Sequence, residues 1–416
     1  MLRYKAMRFP NAVVLACVGR CHIFIRRLMD SLLIDRECDA IAPLSDTALN
    51  HLSPDPQAPR CLPLVKQFSH QALQQHKRKA GHVPFTPLIV TLLLAGGIAE
   101  TACAGPATPS VQEETLNFGK FPHSRYTVLR DGDPPVRYYL SHAAKKSPLV
   151  LFIQGSGCTP PFTNVESGKP AVGFLPWIPW LKQGSVVLMA VDKPYQPSLA
   201  NDSSKGAEDC PKQFNAYFSY DRWLSALRLA VQHALTLPNV DPQHVLIIGI
   251  SEGSTMAAGL ARAMPEVTHV ALLGSSGPTQ LYDFAANIYR FNDDDDEKLR
   301  RLQELDATVS NINADPTSTS KFAWGHTYLR WSSFFAQSSA DNLSHARARV
   351  YLGSGMRDNS TPILSTEVMY AQLRSQGRDV TFRRVPLGGH GVVPDNVPYK
   401  ESQKEFDAVK AWFEKR

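Results

Sequence analysis

From about residue 125 onward, short apolar runs alternate with stretches in which apolar residues recur every three or four positions, which predicts strands interleaved with helices. Pro148 to Ile153, Ser185 to Val191, Val245 to Ile250 and Val267 to Leu273 are continuous apolar runs of the kind expected when both faces of a strand are covered. Ahead of them, Tyr126 to Arg130 and Val136 to Ala143 flank Asp131-Gly132-Asp133-Pro134-Pro135 and predict an opening hairpin. Tyr220 to Leu237 places Trp223, Leu224, Leu227, Ala230, Val231, Ala234 and Leu235 on one stripe and stops at Pro238, a helix. Thr255 to Met264 reads as a second helix and Glu401 to Phe413 as a closing amphipathic one. Arg349 to Leu352 and Val380 to Val385 complete the strands. The fold class is therefore α/β, a mostly parallel central sheet flanked by helices.

Between Gly277 and about Ala346 the rhythm lapses. A helix from Glu297 to Leu305 precedes an aromatic segment with Phe322, Trp324, Tyr328, Trp331, Phe334 and Phe335. We read this as a helical cap inserted at about 278–346 into a domain spanning 121–416. Its aromatic residues, like Trp177 and Trp180 earlier, either line an apolar substrate pocket or are core. The acidic run Asp293 to Asp296 lacks the alternating ligands of a calcium loop and stands before a helix, where negative charge is favourable, so it reads as a helix cap. No internal repeat is present.

Upstream the pattern changes character. Residues 105–120 carry Pro, Thr and Glu and read as a linker. Lys77-Arg78-Lys79, the apolar run Pro87 to Ala99 and Ala102-Cys103-Ala104 match the basic, apolar and cleavage parts of a secretory signal, placed at 77–104. The apolar run is short for a membrane span. A buried core helix, an uncleaved anchor and a lipidated Cys103 are the alternatives. Residues 1–76 are expected not to belong to the mature protein, with translation starting further in. The expected location is periplasmic or secreted.

Composition agrees with a globular domain, with 43% hydrophobic and 20% charged residues. The net charge of +6 would suggest an acidic partner if it were spread over the fold. It is concentrated upstream: of 44 Lys+Arg and 38 Asp+Glu residues, 12 and 7 fall within 1–104, leaving 32 and 31 for the rest. A nearly neutral folded part gives no reason to expect nucleic acid as a partner. Five of the seven cysteines, Cys17, Cys21, Cys38, Cys61 and Cys103, also lie before the cleavage position. Cys158 and Cys210 remain as a pair able to form one disulfide in an oxidising compartment, or to stay as thiols.

The chemistry centres on Gly249-Ile250-Ser251-Glu252-Gly253. A serine hydroxyl is a weak nucleophile that needs an exposed position on a tight turn, a neighbouring base and donors for a developing oxyanion. Here a buried strand precedes the turn and a helix follows it, the context that a G-x-S-x-G nucleophile requires. His390, in Gly388-Gly389-His390-Gly391 directly after the last strand, is the candidate base. His326 and His345, in the cap, follow no sheet strand. Asp358, after Gly353-Ser354-Gly355, is the candidate acid that orients the imidazole. Asp395 is its rival, although it follows the histidine. The loop Gln154-Gly155-Ser156-Gly157 supplies an oxyanion donor, Ser156 N–H or that of Gly155, to act with Glu252 N–H.

Together, Ser251, Asp358 and His390 in that order, with the Gln154-to-Gly157 loop ahead of the elbow, resemble the α/β-hydrolase family over about 125–416, in an esterase-like or prolyl-oligopeptidase-like member. Gln154 stands where the family commonly has histidine, and Glu252 puts a carboxylate beside the site that would repel acidic substrates or anchor an amine. The resemblance implies a serine hydrolase that needs no cofactor or metal and acts on a small-molecule ester or short peptide. Ester cleavage is the leading expectation and peptide or amide cleavage the second. A non-catalytic binding protein that kept the fold is a third. A membrane is a partner only if the 87–99 segment stays uncleaved or Cys103 is lipidated.

Overall fold

The computed structural model describes residues 110–118, 121–164, 169–170, 175–197, 209–394 and 397–415, with a small antiparallel pair, Arg8–Phe9 on Ala12–Val13, further upstream. The chain divides into two units, Met1–Glu100 and Thr101–Arg416. The signal-like segment, Cys103 and Asp395 lie outside the described residues.

The second unit is built on a nine-stranded sheet. In chain order its strands are β1 (Val111–Phe118), β2 (Phe121–Arg130), β3 (Asp133–Ser141), β4 (Ser147–Ile153), β5 (Val187–Val191), β6 (Val240–Ile250), β7 (His269–Leu273), β8 (Arg349–Gly355) and β9 (Val380–Val385). They lie in the order β9-β8-β7-β6-β4-β5-β3-β2-β1. The strands from β9 to β5 pair in parallel, and β3, β2 and β1 join them antiparallel.

The apolar runs become central strands because each side of the sheet is covered. Leu149, Leu151 and Ile153 face one core with Val245 and Ile247, whereas Val150 and Phe152 face the other with Leu246 and Ile248. That two-residue alternation inside an unbroken apolar run is the mark of a strand buried on both faces. The first core is closed by α3 (Tyr220–Ala234), α4 (Glu252–Ala263), α8 (Ser339–His345) and α9 (Ile363–Ser375), the second by α1 (Ile178–Gln183) and α10 (Tyr399–Glu414). A short α2 (Lys212–Tyr217) precedes α3, and Cys158 is bonded to Cys210. Trp177 and Trp180 belong to the second core, Trp177 packing on Phe406 and Trp180 on Phe413.

The cap comprises α5 (Gln280–Phe291), α6 (Asp295–Ala314), a two-residue strand pair (Phe322–Ala323 with His326–Thr327), α7 (Tyr328–Phe335) and α8. Asp294 caps α6 by accepting from Glu297 N at 2.8 Å, as the acidic run implies.

Three boundaries differ from the expectations. The supposed linker contains β1, because Glu113 and Glu114 are not solvating a free chain: Glu113 accepts from Ser124 and Tyr126, and Glu114 from Arg125. The hairpin turn contracts to Asp131-Gly132, with Gly132 at φ 75° and both prolines inside β3. The helix after the elbow starts at Glu252, three residues early, because Ser251 itself is its N-cap.

Candidate active site

The site lies at the carboxyl ends of the parallel strands. The chain leaves β4 toward β5 on one side and returns to β6 on the other, so the loops after β4 and β6 diverge there, the usual place for a ligand crevice in such sheets. These are the loop from Gln154 to Gly157 and the turn carrying Ser251.

Ser251 has φ 55° and ψ −125°, a conformation side-chain-bearing residues rarely adopt and one that persists only when the surroundings enforce it. Its N–H donates to Leu273 O at 3.0 Å. The flanking glycines make the turn possible. A Cβ on Gly249 would lie 2.2 Å from Gly253 O, and one on Gly253 would lie 2.2 Å from Ile153 O. Strand, helix and neighbouring strand thus touch backbone to backbone, and Ser251 is pushed out to the cleft.

Asp358 follows β8 and is fully buried. Its Oδ1 accepts from the N–H groups of Ser360 (2.8 Å) and Thr361 (2.9 Å), and its Oδ2 from Thr361 Oγ1 (2.8 Å). His390 Nδ1 lies 3.0 Å from Oδ2 and 3.2 Å from Oδ1. Burial pushes the Asp358 carboxyl up, but His390 and these donors outweigh it and hold the group below the usual range. The pair packs on Gly274. That residue follows Leu273, takes φ 52°, and a Cβ on it would stand 3.4 Å from both Asp358 Oδ2 and His390 Nδ1. Asp358 and His390 therefore meet as a pair on Gly274, one residue beyond the carbonyl that accepts from the Ser251 N–H.

Gly155 packs against Ser251, with an added Cβ falling 3.3 Å from Ser251 Cβ, and Ser156 lines the cleft beside it. Beneath this loop lies a cluster that the motifs did not reveal. Lys193 Nζ donates to Gly155 O (2.7 Å), Gly157 O (2.9 Å) and Glu252 Oε1 (2.7 Å). Glu252 Oε2 accepts from Arg330 Nε (3.0 Å) and Nη2 (2.7 Å), and Arg330 Nη1 donates to Gln280 Oε1 (2.9 Å). The side chains of Lys193, Glu252 and Arg330 are 0%, 1% and 3% exposed. Burial alone pushes Glu252 up, yet the two cations bring its carboxyl down to about 2. The expectation that this carboxylate is available to substrate is corrected: it is buried, and its two oxygens are occupied by Lys193 and Arg330.

The cleft, about 640 Å³, opens between this edge and the cap. Phe284, Trp324 and Trp331 form one wall, and Gln280, Asp283 and Asn287 project from α5. The cap aromatics thus divide, with Trp324 41% exposed in the cleft and Phe334 0% exposed in the core. His326 also lines the cleft, but burial and Arg330 push its pKa down to about 3, leaving it neutral. His345 is at the exposed end of α8. Neither stands where His390 does.

Strand order, elbow and the placement of the acid and histidine after successive strands now agree. The architecture is an α/β-hydrolase fold. No family model matches the chain, and no curated protein matches it. Among solved structures it is similar to the acetyl xylan esterase from Paenibacillus sp. R4, at 12% identity and TM-score 0.48, covering 74% of this chain and 89% of that one. It is also similar to the acylaminoacyl peptidase of Pyrococcus horikoshii, at 13% identity and TM-score 0.49, covering 72% of this chain and 42% of that one. A third is the acetyl xylan esterase 1 of Thermoanaerobacterium sp. JW/SL YS485, at 12% identity and TM-score 0.45, covering 74% and 87%.

Sequence reasoning missed Lys193, Arg330 and Asp283. Lys193 had one usable signal, a charged residue two positions after the apolar strand β5. Arg330 sits among aromatic residues in the cap, which hid it. Asp283 lies in the stretch where the strand-helix rhythm lapses and carried no motif.

Proposed function

We propose that the chain is a serine hydrolase that cleaves carboxylic esters through an acyl-enzyme on Ser251. The observation that carries this reading is Ser251 itself, held in its strained conformation at the cleft by Leu273 O, with the Asp358–His390 pair packed on the next residue, Gly274. In this mechanism His390 takes the Ser251 proton as the hydroxyl attacks the ester carbonyl, then passes it to the departing alcohol. Asp358, accepting at His390 Nδ1, holds the ring so that Nε2 is the basic nitrogen and stabilises the imidazolium that forms. The N–H groups of Ser156 and Glu252 receive the oxyanion. Glu252 N–H is the first of α4 and, like the opening N–H groups of any helix, has no partner inside the helix. Water attacks the acyl-enzyme by the same route in reverse.

The ester reading is preferred to release of amino-terminal residues from peptides because Glu252, the carboxylate nearest the nucleophile, is already paired with two cations and is not free to hold a substrate amine. The wall of Phe284, Trp324 and Trp331 suits an apolar or aromatic group on the acyl or alcohol side. The Cys158–Cys210 bond supports work in the periplasm or outside the cell, where disulfides persist. N-terminal sequencing of the native protein tests export and should find a start near residue 105.

A fluorophosphonate probe should label Ser251, and p-nitrophenyl esters should be hydrolysed faster than aminoacyl p-nitroanilides. Ser251→Ala and His390→Ala should each lower kcat by about 10³-fold or more with the fold intact. An unlabelled, folded wild-type protein would favour a binding protein instead.

A further inference from the structure

We propose that Lys193, locked in place by Glu252 and Arg330, is the positioning residue of the oxyanion hole, aligning and polarising both of its backbone donors at once. The inference rests on the serine-hydrolase reading and assigns work to three residues outside the triad.

Lys193 comes from the loop after β5, yet all three of its N–H groups are used within the site, on Gly155 O, Gly157 O and Glu252 Oε1. The bond to Gly155 O matters most. That carbonyl belongs to the peptide whose N–H is Ser156 N–H, and no peptide among the described residues is cis. In a trans peptide the N–H points opposite to the C=O, so anchoring the carbonyl on Lys193 turns the Ser156 N–H away from Lys193. A carbonyl that accepts from a cation also withdraws charge from its own N–H and makes that group a stronger donor. The second donor, Glu252 N–H, is reached through the side chain of the same residue, whose carboxylate is fixed by Lys193 on one oxygen and Arg330 on the other.

The charge balance points the same way. Two cations and one carboxylate, all buried, leave one positive charge in excess beneath the place where an alkoxide would develop. A buried, fixed charge is worth more there than a hydrated one, because it needs no reorganisation as the reaction proceeds. A purely structural role would be met by a neutral pair. The cluster instead keeps both cations, with Lys193 Nζ 4.8 Å from the Phe218 ring centroid and Arg330 4.2 and 4.4 Å from those of Trp331 and Phe334. Since Arg330 stands on α7, the cap is tied directly to the elbow.

Two variants test this on the full chain, each leaving a neutral buried pair behind: Lys193→Met leaves Glu252 with Arg330, and Arg330→Met leaves Glu252 with Lys193. For p-nitrophenyl acetate we expect Lys193→Met to lower kcat about 10- to 100-fold, less than the loss of a donor itself, with KM within about threefold. Inhibition by an aryl trifluoromethyl ketone, whose adduct on Ser251 carries an oxyanion, should weaken by the same factor as kcat/KM. Inhibition by the corresponding alcohol, which carries none, should not change. Arg330→Met should show a smaller loss of the same form, and Arg330→Lys should recover part of it, so the test stands even where Lys193→Met fails to fold. Unchanged kcat per labelled active site in the folded variants, or ketone inhibition that does not follow kcat/KM, overturns the proposal while leaving the serine-hydrolase reading in place. Failure of wild type to label at Ser251 overturns both.

Discussion

Replacing Asp283 with asparagine should stabilise the protein by an amount that depends on pH in a calculable way. Asp283 lies in the first turn of α5, is 5% exposed, and accepts at Oδ2 from Ser276 Oγ. Its Oδ1 has no partner among the described residues. Burial is the main cause that lifts its pKa from 3.8 to about 7, helped by the Asp358 charge and opposed by the bonds from Ser276 and Ser365. Between those two values the folded state holds a proton that the unfolded state has lost, so stability falls as pH rises, by about 1.4 kcal/mol per pH unit. The contribution is fully present below about pH 4 and fully lost above pH 7, a span of roughly 4 kcal/mol. The amide in Asp283→Asn does not titrate. Guanidinium unfolding of both proteins from pH 4 to pH 9 isolates the effect, since other titrating groups cancel in the difference. The variant should gain on the wild type progressively between pH 4 and pH 7 and keep a constant lead above it. A difference that stays flat from pH 4 to pH 8 would falsify the assignment of a protonated, buried Asp283.

Backbone crowding at the elbow gives a contrast between two glycines. Gly249→Ala would place its Cβ 2.2 Å from Gly253 O, atoms that cannot move without displacing strand or helix, whereas a Cβ on Gly391 meets only Val393 Cγ2 at 3.7 Å. We expect Gly249→Ala to lose 3 kcal/mol or more, or to be recovered only as insoluble protein, and Gly391→Ala to stay within about 0.5 kcal/mol in thermal unfolding. Comparable unfolding temperatures for the two would refute that account. Cys158 and Cys210 are 52 positions apart. Opening a loop of that length through paired serine substitutions should remove about 4 kcal/mol and lower Tm by about 6 °C for a unit of roughly 300 residues. Calorimetry of the oxidised protein and the double variant reads this directly, and an unchanged Tm would count against it.

Much of this protein was legible in one dimension. Unbroken apolar runs can satisfy their periodicity only as strands covered on both faces, and Gly-x-Ser-x-Gly between such a strand and a helix admits one backbone path. The order Ser251, Asp358, His390 then assigned each residue to a strand exit, where the structure places it. What failed in the sequence failed for a common reason. β1 was hidden because an edge strand with Glu113 and Glu114 has the polarity of a linker until its partner β2 is known. Glu252 looked like a substrate-facing carboxylate because its neighbours in sequence are Ser251 and a glycine. Its partners come from the loop after β5 and from α7, 59 positions before it and 78 after it. Lys193, Asp283 and Arg330 carried no motif for the same reason. Local patterning determines where the chain is buried and where it turns, because periodicity and steric limits act over a few residues. Which charges meet in the interior is decided only when distant segments pack, since a buried ion is tolerated solely by the partner that the tertiary fold brings to it.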